Sequence, residues 1–443
     1  MRFFLILGVV VSGTVLSQPT DLWSAYQDAV SNDPVYQTQK AVLQEKEQEI
    51  PTARAALLPQ LFLNAQMSRT YQDSLLLGSD DYNSNQYTVN FSQAIFNANA
   101  FFDLQRAKLS VQAAAALFSA QTQDLIVRLI RAYFDVLEKN ELLNYTKSQK
   151  KFSDEFKIAT EKKYKLGFTT ITEFEQAKEQ AALFESQLLA AKISYQQSVQ
   201  NLSNLTATLY TEFPKRRSSF SRIIVLPNQV NAWVTLAQKQ NLLLRSAQLS
   251  VQAAQEALKT KKMDFLPAVS ATTGYSDTNE LSTQASGGIP ETVRATQVGL
   301  SASWSFLEGG KTVSEVKAES ARYAQAVADM RKRYLEATTD AGNAFVEVLD
   351  GYSSAKASYA AKVIGTSGLA HANAGYQAGV QSIFDLLQAQ NRLFSAQKES
   401  TRDFYQYVLA TILLKEAAGS LSPDDVYQLN NYLYGKKHDK PHG

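Results

Sequence analysis

The sequence predicts a chain of long α-helices that also contributes four strands to a membrane-spanning β-barrel, with the whole plan built twice. Two repeated patterns predict this fold class: Tyr164-x-x-Gly167-x-x-x-Ile171 returns as Tyr376-x-x-Gly379-x-x-x-Ile383, and Leu58-Pro59 returns as Leu266-Pro267. Each Leu-Pro pair precedes a stretch that alternates apolar and polar residues. Because an open sheet edge is not tolerated in lipid, two strands per half can complete a barrel only with strands from other copies.

The first 17 residues have the pattern of a cleaved secretory signal. Arg2 is followed by the apolar run Phe3–Val11 and by small residues up to Ser17, which predicts that the mature chain leaves the cytoplasm. The sequence has no cysteine, so disulfides and a lipid-bearing N-terminal cysteine are excluded. No later apolar run reaches the ~18 residues of a membrane helix. The strands are therefore the candidate spanning elements.

The charge balance is close to neutral, at +2, which argues against a nucleic-acid partner. Lysines nevertheless cluster in one region. They are Lys147, Lys150, Lys151, Lys157, Lys162, Lys163 and Lys165. Such a run indicates a solvated helix face or, as the less favoured reading, a patch that docks a partner.

Four alternating segments predict the strands, at about residues 59–71, 86–96, 267–277 and 296–307. The clearest apolar series are Val298, Leu300, Ala302, Trp304 and Phe306; Tyr87, Val89, Phe91 and Ile95; and Leu61, Leu63, Ala65 and Met67. A tilted strand needs about 9–11 residues to cross a bilayer. A soluble sheet with one wet face gives the same alternation, but Ser, Asn, Gln and Gly on the polar faces favour the barrel. The polar stretches Gln72–Gln86 and Thr278–Thr296 are predicted to be loops at the cell exterior.

Long helices are predicted to follow the strands. After Asn97 the apolar residues take steps of three, four and seven, which is typical of a coiled coil. This stripe is Val111, Ala115, Phe118, Leu125, Leu129, Ala132 and Val136. The helix should reach Leu166, and about 68 residues at ~1.5 Å each would extend close to 100 Å.

The second half repeats this helix from Lys311 to about Ala374, although four glycines weaken it as a helix former. Shorter helical segments are predicted at about Thr169–Tyr210, Gln229–Lys262, Gln381–Ala418 and Asp21–Ile50, with interruptions near Pro51, Pro214 and Pro227. The predicted organisation is therefore a signal peptide (1–17), a first repeat (18–228), a second repeat (229–434) and a polar tail (435–443).

Two glycine turns should end the long helices, at Gly167 and Gly379, because glycine suits a left-handed helix C-terminus. Each turn opens a new helix with a capping-box pattern, Thr170-x-x-Glu173 and Ser382-x-x-Asp385. Glu173 and Asp385 can therefore be caps of their own helices. Alternatively, the tips converge on a symmetry axis and the carboxylates form an acidic ring that gates a tube.

Several residues resemble the TolC family of outer membrane efflux proteins. They are Asn32-Asp33-Pro34, Leu58-Pro59-Gln60, the two Tyr-x-x-Gly turns and Gly309-Gly310. The resemblance runs from about Asp21 to Tyr434. It implies a homotrimer that forms a 12-stranded barrel in outer membrane lipid above a periplasmic helical tunnel. It also implies periplasmic adaptor proteins and inner-membrane RND, ABC or MFS transporters as partners, with drugs, detergents, bile salts or proteins as cargo.

The resemblance also implies a periplasmic gate at the helix tips. Tyr376, Asp385 and Thr172 match residues of the family's gate, whereas Gln381, Gln388 and Glu173 stand where well-known members have arginine, aspartate and aspartate. The missing arginine removes a charge-assisted link. These differences predict a tunnel that closes less tightly, or through other contacts.

Two other classes of function, an enzyme and a scaffold without a pore, fit the sequence less well. An enzyme is not predicted, since the only histidines are His371, His438 and His442 and no zinc spacing or phosphate loop is present. No cofactor and no metal are predicted, although the two histidines of the polar tail leave a weak metal-binding tail open. A periplasmic coiled-coil scaffold or adaptor without a pore is the alternative, and duplicated bilayer-length strands disfavour it.

Overall fold

The computed structural model describes residues 21–74, 78–217, 222–223, 225–280 and 291–435. The predicted signal peptide lies outside these residues, and so does the polar tail after Gly435. The helices are α1 (Leu22–Asn32), α2 (Pro34–Glu47), α3 (Glu49–Ala55), α4 (Ala98–Lys165), α5 (Ile171–Thr206), α6 (Val230–Gln240), α7 (Leu242–Lys262), α8 (Lys311–Gln377), α9 (Ile383–Ala417) and α10 (Pro423–Tyr434). The strands are β1 (Gln60–Ser74), β2 (Gly78–Phe96), β3 (Ala268–Glu280) and β4 (Glu291–Ser303).

The four strands form one antiparallel sheet in chain order. The register pairs Leu63 with Val89, Val89 with Tyr275, and Tyr275 with Thr296. Cross-strand partners point to the same side of a sheet, so the alternating apolar residues share one face. That face is open in the single chain, where Leu63 is 75% exposed and Val298 is 80% exposed.

The strands are longer toward their hairpin ends than the sequence predicted. Most of Gln72–Gln86 belongs to β1 and β2, and β3 and β4 extend into Thr278–Thr296, so the prediction of loops was wrong for these strand residues. Where both faces of antiparallel strands contact water, the backbone hydrogen bonds between the strands form without any alternation of apolar and polar side chains. Residues 75–77 and 281–290, at the centre of the two predicted loops, lie outside the described residues. β4 ends at Ser303, before the predicted residue 307.

Both long helices form without interruption. α4 begins after Asn97, whose Oδ1 accepts a hydrogen bond from the N–H of Ala100 at 3.0 Å. In α8 the glycines do not break the helix, and two of them serve packing. A Cβ on Gly351 would lie 3.3 Å from Cα of Tyr407, and one on Gly365 would lie 3.5 Å from Cα of Leu393. Glycine therefore lets α8 approach the backbone of α9.

The shorter helices break at places that periodicity did not reveal. Asp33 separates α1 from α2, and Asn241 separates α6 from α7. The predicted interruption near Pro51 is present at Gln48, between α2 and α3, and Pro51 lies in the first turn of α3, where a residue needs no backbone donor. α10 was not predicted separately, although Ser422 and Asp425 form a capping box at its start.

The chain forms two compact units, which α4 and α8 share. Among the described residues, one unit contains those up to Gln39, those of Ser119–Asn241 and those from Glu336 onward, and the other contains those of Lys40–Phe118 and Leu242–Leu335, including the sheet. The main hydrophobic core lies in the first unit. Its largest fully buried side chains are Leu22, Leu125, Ile126, Leu129, Ile130, Tyr133, Leu202, Tyr407 and Leu414. Leu125, Leu129 and Val136 of the predicted α4 stripe are buried in this core, whereas Ala115 is exposed in the single chain.

Candidate functional site

The first hairpin turn follows α4 and has the predicted glycine conformation. Gly167 has φ of 76°, its N–H donates to the carbonyl of Tyr164 at 2.9 Å, and the N–H of Phe168 donates to the carbonyl of Lys163 at 2.8 Å. Thr170 then caps α5 by accepting the N–H of Glu173 at 3.2 Å. These bonds satisfy backbone groups that the two helix ends leave open.

The second turn repeats this backbone. Gly379 has φ of 75°, its N–H donates to the carbonyl of Tyr376 at 3.1 Å, and the N–H of Val380 donates to the carbonyl of Gly375 at 3.0 Å. Ser382 caps α9 by accepting the N–H of Asp385 at 3.2 Å. The duplicated sequence pattern therefore codes for a duplicated turn.

The two candidate gate carboxylates make different contacts. Asp385 closes a full capping box, since its Oδ2 accepts the N–H of Ser382 at 3.1 Å and the hydroxyl of Ser382 at 2.7 Å. These bonds lower the pKa of Asp385 below its ordinary value. Glu173 does not reach back to the backbone of Thr170 and instead accepts the hydroxyl of Thr169. In the single chain, Asp385 thus occupies the position of a cap.

Tyr376 connects the second turn to the first hairpin. Its ring lies 5.4 Å from the ring of Phe156 on α4, and Nζ of Lys163 lies 5.0 Å from its centroid. Burial raises the pKa of Tyr376, and the charge of Glu173 adds to the rise. The structure therefore brings together Tyr376, Glu173 and Lys163, a lysine that the sequence analysis assigned only to a cluster.

The remaining predicted tip residues lie farther from this contact. Thr172 is exposed on the first turn of α5. Gln381 is exposed and folds over Gly375, where a Cβ would meet its side-chain amide at 2.9 Å. Gln388 is exposed in an open groove between α5 and α9 that also contains Gln176. Gln381 carries no charge and therefore cannot form the charge-assisted link that arginine would supply at that position.

The lysine cluster is largely a solvated helix face. Lys150 pairs with Asp154 and Glu185, Lys151 with Glu155, and Lys165 with Glu161. Three of the four partners lie within one turn on the same helix, which favours the solvated reading. His371 is also exposed on its helix. His438 and His442 lie outside the described residues.

Sequence reasoning missed a network around Glu141 on α4. Arg216 donates to Glu141 through Nε at 2.8 Å, and the hydroxyl of Tyr405 donates to the same carboxylate at 2.9 Å. The guanidinium of Arg216 also stacks 4.1 Å from the ring centroid of Phe404. We define the aromatic cluster as Tyr133, Phe134, Phe213, Phe404, Tyr405, Tyr407 and Tyr434 with this ion pair. The three basic residues Lys215–Arg217 after Pro214 were its only sequence signal.

Charged pairs end the exposed apolar face of the sheet. Arg69 pairs with Asp81 across β1 and β2, and Arg294 donates to Asp277 at 3.1 Å across β3 and β4. All four side chains lie on the apolar face, toward the hairpin ends of the strands. The apolar band is therefore bounded on that side.

Within the described part of the chain, no helix is long and apolar enough to cross a membrane. The same residues contain no group of three or more histidine, cysteine or acidic side chains placed to hold a metal ion. The predicted absence of a catalytic role stays a prediction.

Comparison with known proteins identifies the family. The family model described as outer membrane efflux protein matches residues 25–208 and 233–420. Outer membrane protein TolC of Escherichia coli is 27% identical over 97% of this chain and 88% of its own length. Alkaline protease secretion protein AprF of Pseudomonas aeruginosa is 24% identical, over 91% of this chain and 85% of its own length.

A solved structure has the same fold. The CmeC outer membrane channel of Campylobacter jejuni superposes with a TM-score of 0.79 at 16% identity, covering 92% of this chain and 89% of that chain. The predicted fold class, strands of an outer membrane barrel joined to long helices in a tandem repeat, is confirmed. The chain therefore belongs to the outer membrane efflux protein family, as a bacterial outer membrane protein of the efflux and secretion channel type whose helices lie in the periplasm.

Proposed function

We propose that three copies of this chain form one export channel, with a 12-stranded barrel in the outer membrane and a helical tunnel in the periplasm. Each copy would supply the four strands and both helical hairpins. The repeats 18–228 and 229–434 would contribute two strands and one hairpin each.

One observation carries this proposal: the sheet has one open apolar face and two open edges. Among the described residues, β1 pairs only with β2, and β4 pairs only with β3. Unpaired backbone groups are costly in lipid, so β1 of one copy is expected to pair with β4 of the next. Alternation of apolar and polar residues then places the polar faces toward the lumen.

The channel is proposed to work with a periplasmic adaptor protein and an inner-membrane transporter of the RND, ABC or MFS type. Small toxic compounds such as drugs, detergents and bile salts are the proposed cargo, and proteins are the second class. The match to the outer membrane efflux protein family supports the first class, and similarity to a protein named for alkaline protease secretion supports the second. The transporter and adaptor would choose the cargo.

The tips of the hairpins are proposed to close the tunnel. Tyr376, Thr172, Glu173, Asp385, Gln381 and Gln388 are the candidate gate residues. With glutamine at 381 and 388, each copy offers Glu173 and Asp385 as its gate carboxylates. Multivalent cations should therefore block single channels weakly, and Asp385→Asn should weaken the block further. Full-strength block that survives Asp385→Asn would contradict this assignment.

Membrane extraction and assembly test the channel itself. The protein should need detergent for release, should have the mass of a trimer in native mass spectrometry, and should conduct ions in planar bilayers. Release by carbonate as a monomer would instead support the periplasmic scaffold. Deletion of the gene, with susceptibility tests to dyes, detergents and antibiotics and a survey of secreted proteins, distinguishes the two classes of cargo.

A further inference from the structure

Helix α9 is buried in two different ways along its length. Between its start and Ser400, burial follows a stripe with steps of three and four on one side. The buried members are Ile383, Leu386, Gln390, Leu393 and Ser400. From Thr401 to Leu414 burial extends around most of the helix and includes Tyr405 and Tyr407 of the aromatic cluster. The tip half of α9 therefore contacts its neighbours along a single seam.

Polar side chains occupy the centre of that seam. Gln390 is completely buried, and its Nε2 donates to Oε1 of Gln149 at 2.8 Å and to Oγ of Ser153 at 3.2 Å, both on α4. Gln180 of α5 donates to Oδ1 of Asn391 at 3.1 Å. We define these five residues as the amide seam. It joins the second hairpin to both helices of the first.

The hydrogen bonding of this region is incomplete. Oε1 of Gln390 is buried and has no hydrogen-bond partner among the described residues, and the same holds for Oε1 of Gln187 and Gln397. A buried acceptor without a partner destabilises the packed state and is satisfied once water reaches it. Separation of the hairpins would therefore hydrate these amides.

An apolar seam would behave differently. Leucine at position 390 would continue the stripe of Leu386 and Leu393, and its exposure to water would oppose separation. Polar residues at such core positions of coiled coils lower stability while fixing the register of the helices. Glutamine at position 390 thus fixes how the two hairpins pack when they are in contact, and it keeps the free energy needed to separate them low.

We propose that Gln390, held by Gln149 and Ser153, is the reversible contact between the two hairpins, and that the aromatic cluster is the fixed point about which they separate. This inference rests on the proposed gating at the hairpin tips. It assigns the free energy of opening to the buried amide of Gln390 on α9, which lies more than one turn of helix beyond the residues of the glycine turn.

Three variants test the seam. Gln149→Leu with Gln390→Leu makes it apolar, Gln390→Ala removes its central amide, and Gln406→Leu makes the same chemical change at an exposed position of α9. Single-channel recordings measure the ratio of open to closed states. Hydrogen–deuterium exchange over Ile383–Ser400 measures separation of the seam without requiring conduction.

The double leucine variant should lower the open-to-closed ratio on the order of tenfold, and Gln390→Ala should raise it by a similar factor, since tenfold corresponds to about one hydrogen bond. Exchange over Ile383–Ser400 should slow in the first variant and accelerate in the second. Exchange over Phe404–Leu414 and the behaviour of Gln406→Leu should stay as in the wild type.

The outcomes separate this inference from the channel proposal. Exchange that responds as described in a protein that never conducts would overturn the channel and leave the seam intact. A conducting wild type whose seam variants gate like Gln406→Leu would overturn the inference. Changed exchange with unchanged gating would also overturn it, because it would make the seam merely structural.

Discussion

The aromatic cluster and the two hairpin turns lie in the same compact unit but are stabilised by different means. The cluster buries tyrosines and phenylalanines around the pair of Arg216 and Glu141, whereas the turns are exposed and depend on glycine backbone and capping hydrogen bonds. Side-chain packing stabilises several helices at once, while a cap stabilises only the first turn of its own helix. The difference indicates that the aromatic cluster contributes most to the stability of this unit and that the turns tolerate substitution of their side chains.

The largest expected effect comes from removing one partner of the buried ion pair. Arg216→Ala leaves Glu141 without its guanidinium in a site where the arginine side chain is 13% exposed. We expect a loss of about 3 kcal/mol in the free energy of unfolding. Chemical denaturation of the detergent-solubilised protein, followed by circular dichroism, measures it. Arg217→Ala, at the exposed neighbour, is the control, and equal losses would contradict the comparison.

The free energy of unfolding should also depend on pH, through Glu416 on α9. Burial, and then the charge of Asp124, raise the pKa of Glu416 to about 6 from an ordinary value of 4.5. Because the folded state binds this proton more tightly than the unfolded state, stability should fall as the pH rises from about 4.5 to about 6.

Glu416→Gln should remove this slope and should raise the free energy of unfolding at neutral pH by about 1–2 kcal/mol. Denaturation curves at a series of pH values measure both effects. Glu399→Gln, at an exposed position of the same helix, should leave the slope in place. A slope that persists in Glu416→Gln would assign it to another group.

Alanine at the two turn glycines tests whether the turns are equivalent. Gly167→Ala and Gly379→Ala each force a side chain into the left-handed region, which should lower the free energy of unfolding by about 1 kcal/mol. Gly368→Ala is the matched control within α8, where an added Cβ meets no atom within 4 Å. It should raise stability by up to about 1 kcal/mol. Loss of stability in all three would contradict a special role for the left-handed positions.

The smallest effect should distinguish the two caps. Ser382→Ala breaks a reciprocal capping box, whereas Thr170→Ala removes a cap whose Glu173 bonds elsewhere. We expect about 1 kcal/mol for Ser382→Ala and about 0.5 kcal/mol for Thr170→Ala. Hydrogen exchange in the first turns of α9 and α5 measures each. Equal acceleration would show that the reciprocal carboxylate adds nothing.

Much of the fold could be predicted from local patterns. The helix over Ala98–Lys165, the two glycine turns and the shared apolar face of the strands all follow from features within a few residues of each other. The hairpin ends of the strands were missed because side chains that are wet on both faces carry no alternation. The break at Asp33 was missed although its signal is local, because Pro34 opens α2 and Asp33 caps it by accepting the N–H of Tyr36 at 3.0 Å.

The candidate site was predictable in part. The positions of Tyr376, Glu173 and Asp385 beside the two turns could be predicted because they lie at fixed offsets from the glycines, and their role in a gate stays a prediction. The contact of Lys163 with Tyr376 and the amide seam around Gln390 were not found, because each joins hairpins that lie far apart in the chain. Gln390 in particular reads as an ordinary polar residue until its burial is known.

The sequence by itself determined the repeated plan of strands, long helices and glycine turns, because hydrophobic period and backbone preference act over a few residues. The tertiary structure decided which side chains of the two hairpins meet, and therefore whether Asp385 serves its own helix and where Arg216 is buried. Such contacts depend on the packing of helices that lie hundreds of residues apart in the chain. Local sequence patterns do not indicate which of these helices pack together.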